Sequence, residues 1–450
     1  MKKTSWYAVL GTLLVVLVLS FLCTQFLLPL INEKTYSETN CLNDQITDEM
    51  DVYDIAKLYR DSNATCAVIV KGQSTEISNS YISSLGSGVA IASKGYEIQT
   101  SENTYVASKG SYIATNYHVI EMFDSDAYTN CSASIMVENE MTYPAEVLWY
   151  NKDLDVAVLY CDDLNMDYVR MADRSIYCSS QDKLDYEQIF TIGSPLDTMY
   201  INRLTVGNVA SNNDLTMVTA KVIYPYNSNG EMKYHTMIGN SIGISTTVVD
   251  NVYEDVVDVS LGISSGNSGG GCFDSNGVLV GLTTLGSDVD ETGGNQMNGV
   301  VPIYPVLEVL DRLIIENELK QNQTIVDFEK LGLTGIDATE ASYVSYMRTE
   351  TKYSYYFLDD NFYDKTSYAN DFAFSESGYY ILSNSNQYSA LSAIERGCVI
   401  KSCQINNGEN LIIDSRNDLI YVLLQIENGD SLTINFNNSQ GKSSQATITF

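Results

Sequence analysis

The chain has 450 residues, enough for two or three domains at about 150 residues each. Lys and Arg number 25 against 57 Asp and Glu, a formal charge of −32, which excludes binding to nucleic-acid phosphates and docking of an acidic surface on anionic lipid. Hydrophobic residues make up 44%, so a sizeable core is buried, wholesale disorder is excluded, and the acidic excess serves solubility.

The first element is the long apolar run of residues 6–31, preceded by Lys2 and Lys3. Its first 19 residues, 6–24, carry no charge. At about 1.5 Å of rise each they span roughly 28 Å, close to one hydrocarbon thickness. Gln25-Phe26-Leu27-Leu28-Pro29 offers no small-x-small cleavage site, and Phe21 and Leu22 before Cys23 are too large for a lipoprotein signal. The run therefore reads as an uncleaved transmembrane signal anchor. Residues 1–5 form a cytoplasmic tail, because the lysines stay inside, and everything after residue 31 lies outside the cell membrane.

Residues 32–50 are polar and read as a stalk. From 51 to about 304 short alternating apolar runs are broken by Gly, Asn and Asp, as in Ala67-Val68-Ile69-Val70, Ser134-Ile135-Met136-Val137, Val156-Ala157-Val158-Leu159 and Val278-Leu279-Val280-Gly281-Leu282. That pattern predicts a mainly β fold, a barrel or sandwich. Over residues 305–320, Val306, Leu307, Leu310, Leu313 and Ile314 recur at helical spacing after Pro305, which predicts an amphipathic helix closing this domain. A polar hinge at 321–323 leads to a second unit of strands and short helices, residues 325–450. Besides Cys23, eight cysteines follow: Cys41, Cys66, Cys131, Cys161, Cys178, Cys272, Cys398 and Cys403. An even number in an exported domain is compatible with disulfides, in about 105 connectivities, or with buried thiols. With two histidines, His118 and His235, and no metal-type spacing, neither a metal site nor a cofactor is expected.

Three segments carry chemistry: Thr115-Asn116-Tyr117-His118-Val119, preceded by Gly86-Ser87-Gly88-Val89-Ala90-Ile91; Asp153-Leu154-Asp155-Val156-Ala157-Val158-Leu159; and Ser265-Gly266-Asn267-Ser268-Gly269-Gly270-Gly271. Acyl transfer needs a base to deprotonate a serine, a carboxylate to hold the imidazole, and backbone N–H groups aimed at the oxyanion, which favours glycine at a sharp bend. Ser268 sits in such a turn. His118 is one of two imidazoles available. Asp155 opens an apolar strand, with Asp153 as a rival. Each segment alone also reads as ordinary structure, but the order His, Asp, Ser is the chymotrypsin-type order.

These segments closely resemble the His, Asp and Ser segments of the HtrA/Deg family of trypsin-like serine proteases. Ile192-Gly193-Ser194-Pro195-Leu196, residues 205–211, Val280-Gly281-Leu282-Thr283-Thr284 and Val301-Pro302-Ile303 extend the resemblance, which covers about residues 65–320. It implies a chymotrypsin-like double barrel of six strands each, over residues 51–320, with the site in the cleft. Ser268 would be the nucleophile, His118 the general base and acid, and Asp155 the orienting carboxylate. The amides of Gly266 and Ser268 would form the oxyanion hole. Gly262, Ile263, Gly281 and Leu282 would line the substrate pocket, and Gly262 in place of a trypsin aspartate implies cleavage after a small or medium apolar residue. Departures are the insert at 97–109, a second at about 212–255 that includes His235, and Ser265 before the glycine.

Residues 325–450 resemble a divergent bacterial PDZ domain, an α+β unit, with Cys398 replacing the family's usual Asp. The resemblance implies that Gly378, Tyr379, Tyr380 and Ile381 form a strand with a free edge that takes a peptide C-terminus, and that a helix near 417–426 is the other wall. It implies polypeptide substrates, misfolded or exported, C-terminal peptide ligands, and assembly as a homotrimer. The alternatives are a catalytically silent protease-fold scaffold that binds peptides through the PDZ-like unit, and an esterase using the same triad.

Overall fold

The structure is a computed structural model that describes residues 41–77, 80–100, 104–137, 141–152, 154–176, 188–194, 202–211, 225–228, 231–234, 242–247, 266–286, 297–337, 377–385, 388–414 and 416–450. The expected membrane anchor at 6–31 lies outside these residues. Among the described residues no helix is long and apolar enough to cross a membrane.

The folded chain starts inside the expected stalk. Leu42 is the apolar residue that ends the stalk early: it is fully buried, and its amide donates to the Tyr168 carbonyl. Helix α1, Val52–Asp61, follows. Asp51 caps it by accepting from the Tyr53 and Asp54 amides at 2.9 and 3.0 Å, while Asp54 reaches back to the Asp51 amide. Val52, Ile55, Ala56 and Tyr59 recur at 3–4-residue spacing and form its buried face. The Tyr59 ring lies 5.0 Å from Phe273 and 6.2 Å from Phe190, and its hydroxyl donates to the Gly277 carbonyl.

The expected two barrels are present. Strands β1 (Thr65–Ser74) and β2 (Tyr81–Ser93) are followed by a small hairpin of β3 (Glu97–Gln99) and β4 (Thr104–Val106), which is the form the 97–109 insert takes. Then come β5 (Ser111–Thr115), the one-turn helix α2 (Tyr117–Ile120), β6 (Tyr128–Met136), β7 (Thr142–Asn151) and β8 (Val156–Cys161). They close in the order β1-β2-β5-β8-β7-β6 around Val68, Val70, Ile113, Ile135 and Leu159. The second barrel uses β9 (Gln188–Gly193), β10 (Arg203–Ser211), β13 (Ile242–Thr247), β14 (Gly271–Asp274), β15 (Leu279–Gly286) and β16 (Met297–Pro302). It closes in the order β10-β13-β16-β15-β14-β9, with a hairpin of β11 (Pro225–Ser228) and β12 (Glu231–Tyr234) inserted after β10. Most of the 212–255 insert, including His235, lies outside the described residues.

Helix α3, Tyr304–Leu319, matches the expected closing helix and ends where Lys320 turns left-handed at φ 55°. Beyond it are α4 (Phe328–Leu331), β17 (Leu333–Asp337), β18 (Tyr379–Asn384), β19 (Val399–Ile405), β20 (Leu411–Ile412), α5 (Arg416–Leu424), β21 (Ser431–Asn437) and β22 (Ser443–Thr449). They form a sheet ordered β17-β18-β19-β21-β22, with β20 beside β19. Helix α3 holds α5 from outside. Arg312 donates to the carbonyls of Leu424 and Ile426, which the end of α5 leaves unpaired, and Tyr304 meets Tyr421 edge-on at 5.8 Å.

One expectation is corrected here. Gly378, Tyr379, Tyr380 and Ile381 do not present a free edge. Strand β18 is an inner strand, flanked by β17 and β19. The Gly378 amide donates to Asp414 and the Ile381 amide to Cys398, and all four residues are buried. The terminal strands of this sheet among the described residues are β17 and β22. Cys41, Cys66, Cys131, Cys161, Cys272, Cys398 and Cys403 are free thiols, and Cys23 and Cys178 lie outside the described residues.

Candidate active site

Strand register brings the first two site residues together. In the β5–β8 pair Thr115 stands opposite Ala157. His118 follows Thr115 by three residues and Asp155 precedes Ala157 by two, so both fall at one end of the barrel. Asp155 has a φ of 53°, a left-handed conformation that Asp tolerates better than most residues. The Asn116 side-chain amide fixes that turn by donating to the Asp155 carbonyl at 2.8 Å. The carboxylate faces back toward His118. It accepts from the His118 amide at 2.9 Å and lies 2.9 Å from Nδ1, while Thr284, on β15 of the other barrel, donates its hydroxyl to it at 2.5 Å.

A carboxylate can only accept, so neutral His118 carries its proton on Nδ1 and its lone pair on Nε2. Burial of the ring disfavours the imidazolium. The hydrogen bond and charge of Asp155, with Glu121 behind them, outweigh that and hold His118 above its ordinary 6.5. The turn after His118 is tied down as well. Tyr117 and Tyr150 donate to Asp124 at 2.8 and 3.2 Å, and Lys152 pairs with it at 2.5 Å. Burial works against ionisation of Asp124, yet Lys152 and the two phenols keep its carboxyl below the usual range.

Ser268 belongs to the turn that enters β14. Gly266 and Gly269 have φ of 97° and 85°. A Cβ on Gly269 would come within 2.2 Å of the Ser87 carbonyl oxygen and 2.3 Å of the Thr115 hydroxyl, so glycine is required there. Thr283 pins the turn from β15: its amide donates to Gly270, its carbonyl accepts from Gly269, and its hydroxyl donates to Asn267. The N–H groups of Gly266 and Ser268 have no partner among the described residues. Both barrels meet at this turn. A Cβ on Gly86 would lie 2.5 Å from Val119, the residue after His118, and 3.1 Å from the Ser268 carbonyl oxygen. Ser268 is half-buried and His118 keeps 41% of its side-chain surface accessible, so the site is open to a substrate.

Other expected site residues fall elsewhere. Gly262, Ile263, Ser265 and the rival Asp153 lie outside the described residues. Leu282 does not line a pocket, because its side chain is fully buried in the core behind β15. Gly281 is buried beside it, with room for no Cβ against Val300 and Val301. The sequence reading gave no role to Asn116, Thr284 or Ser87, because their partners lie far along the chain or in the opposite barrel. The only available signal was that each stands inside a quoted segment.

Residues 86–282 match the family described as trypsin-like peptidase domain. The chain is 24% identical over 268 residues to "Serine protease Do-like HtrA" of Lactococcus lactis subsp. cremoris (strain MG1363), covering 59% of this chain and 54% of that protein. It is 24% identical over 250 residues to "Protease Do-like 1, chloroplastic" of Arabidopsis thaliana, covering 54% and 47%. The chain thus spans about half the length of the curated relatives it matches. The solved structure "HtrA-type protease AlgW with decapeptide" aligns at 16% identity and a TM-score of 0.48 over 88% of this chain and 97% of that one.

Proposed function

We propose that the chain is a trypsin-like serine protease of the HtrA/Deg type, an endopeptidase working through Ser268, His118 and Asp155; the match of residues 86–282 to the trypsin-like peptidase domain and the likeness to Do-like HtrA proteases support this reading. The observation that carries the reading is the Asp155–His118 hydrogen bond in the first barrel together with a glycine-framed Ser268 turn that is bonded to the same barrel through Ser87 and whose Gly266 and Ser268 amides have no partner among the described residues. His118 Nε2 takes the Ser268 proton as Oγ attacks the peptide carbonyl, and Asp155 stabilises the imidazolium without itself being protonated. The Gly266 and Ser268 N–H groups receive the oxyanion. His118 then protonates the leaving amine, and water, activated by the same ring, cleaves the acyl-enzyme. Substrate main chain would lie along the end of β15 from Thr284 onward, after the stretch occupied by β14.

In this reading residues 325–450 act as a PDZ-like peptide-binding unit. A peptide strand adds to β17, the edge strand beside β18, rather than to 378–381. The apolar run at 6–31 anchors the enzyme in the cell membrane with its catalytic unit extracytoplasmic, where misfolded or exported polypeptides are the substrates and a homotrimer the assembly. The test is casein cleavage by the full chain in detergent micelles, combined with fluorophosphonate labelling mapped by mass spectrometry. Cleavage lost in Ser268→Ala and a label on Ser268 are expected. A label elsewhere, or an active Ser268→Ala, overturns the assignment.

A further inference from the structure

We propose that Ser87 is the positioning residue for the oxyanion turn, acting across the cleft from the first barrel; this rests on the reading of Ser268 as nucleophile. Ser87 is 1% exposed in the middle of β2, yet three of its polar atoms serve the site. Its hydroxyl donates to the Gly266 carbonyl at 2.7 Å. Its amide donates to the Ser268 carbonyl at 2.7 Å. Its carbonyl accepts from Thr115, three residues before His118, at 2.7 Å.

The direction of the hydroxyl is not free. The Ser194 N–H, just past β9, donates to Ser87 Oγ at 2.7 Å. An N–H can only donate, so Oγ accepts there and its single proton goes to Gly266. Ser87 therefore fixes the peptide planes on both sides of the Asn267–Ser268 unit. That unit is fixed in turn by the Asn267 carbonyl, which accepts from Gly270 at 2.8 Å and from the Thr283 hydroxyl. The Ser268 N–H then has one direction left to point. Gly86 lets β2 come this close: a Cβ there would strike Val119 at 2.5 Å and lie 3.1 Å from the Ser268 carbonyl oxygen. The Gly86-Ser87 pair thus has a reason beyond the strand it sits in: the glycine permits contact and the serine supplies the hydroxyl. Such a residue raises kcat without touching substrate, because it holds donors where charge develops.

The test compares Ser87→Ala and Ser87→Thr with Thr65→Ala, which removes another fully buried hydroxyl, the one bonded to Asn202. In the full chain Ser87→Ala is expected to lower kcat on casein by about tenfold to a hundredfold, below the loss from deleting an oxyanion donor outright. KM stays within about twofold, the acid limb of the pH profile does not move, and fluorophosphonate labelling slows by the same factor. Ser87→Thr, which keeps the hydroxyl, recovers most of the rate. Amide hydrogen exchange over 266–271 speeds up at least about tenfold in Ser87→Ala and is unchanged in Thr65→Ala. Unaltered exchange, a kcat within about twofold of the parent, or an equal loss in Thr65→Ala overturns the proposal. A parent chain that neither cleaves casein nor takes the label sinks the nucleophile assignment instead, and the exchange data still decide whether Ser87 holds the turn.

Discussion

The two barrels have the same strand count and opposite roles. The first presents side chains: His118 and Asp155 grip each other through hydrogen bonds made largely within that barrel. The second presents backbone, a turn of small residues whose conformation is imposed by Thr283 beside it and Ser87 opposite. Their cores differ in the same sense. The first barrel's interior is a cluster of its own, whereas the second barrel's core runs on into α1, α3 and the C-terminal sheet. On the proposed mechanism, the base and carboxylate sit on a barrel whose interior packs by itself, while the nucleophile sits on a barrel whose core is continuous with its neighbours, including the outer faces of β2, β5 and β8.

Substitutions can break this contrast, beginning with the largest effect. Ser268→Ala and Asp155→Asn should each lower kcat on casein at least about 10⁴-fold, with fluorophosphonate labelling lost in the first and slowed in the second. Gly269→Ala meets both a left-handed φ and a 2.2 Å contact with Ser87, so kcat should fall about a hundredfold or more while His118 still titrates as in the parent, a point NMR of the imidazole can check. Tyr59→Ala empties the aromatic cluster between α1 and the second barrel. It should cost about 3–5 kcal/mol in urea unfolding, and hydrogen exchange should rise in β9 and β14 before β5 and β8.

A smaller test uses pH. On the proposed mechanism the free enzyme needs neutral His118, and the folded site favours the imidazolium, so kcat/KM should fall as pH drops through a value above 6.5. The sign for stability is the reverse: the Asp155 interaction with the imidazolium contributes fully below the unfolded value and is lost as pH rises through the folded one. Glu121→Gln should move the acid limb down, by less than loss of the Asp155 interaction would. The least effect belongs to Lys152→Ala, whose pair with Asp124 is partly exposed and screened; about 0.2–1 kcal/mol is expected, vanishing at about 1 M salt.

The sequence made legible whatever depends on local pattern. Alternating apolar runs announced a mainly β fold, the family resemblance narrowed it to two barrels, 3–4-residue spacing announced α3 within one residue of its ends, and His118 with a serine among glycines pointed to the candidate site. What stayed hidden depends on neighbours. Whether β18 has one partner or two is decided by β17 and β19, not by Tyr379-Tyr380-Ile381. Leu282 reads as site-lining by its place in a motif, while the pleat turns it into the core. Ser87 looked like filler between glycines until the opposite barrel showed what its hydroxyl holds.

With the proposed membrane anchor, the early burial of Leu42 would set a leash. If the apolar run ends at residue 31 and the fold begins at 41, the link is residues 32–40, nine in all, and fully stretched it reaches about 30 Å. An anchored enzyme of this design patrols a shell about one bilayer deep. Its abundant carboxylates would push it off anionic headgroups while the link pulls it back. Lengthening that link with Gly/Ser repeats should extend the reach to targets held farther out, without altering turnover of free casein.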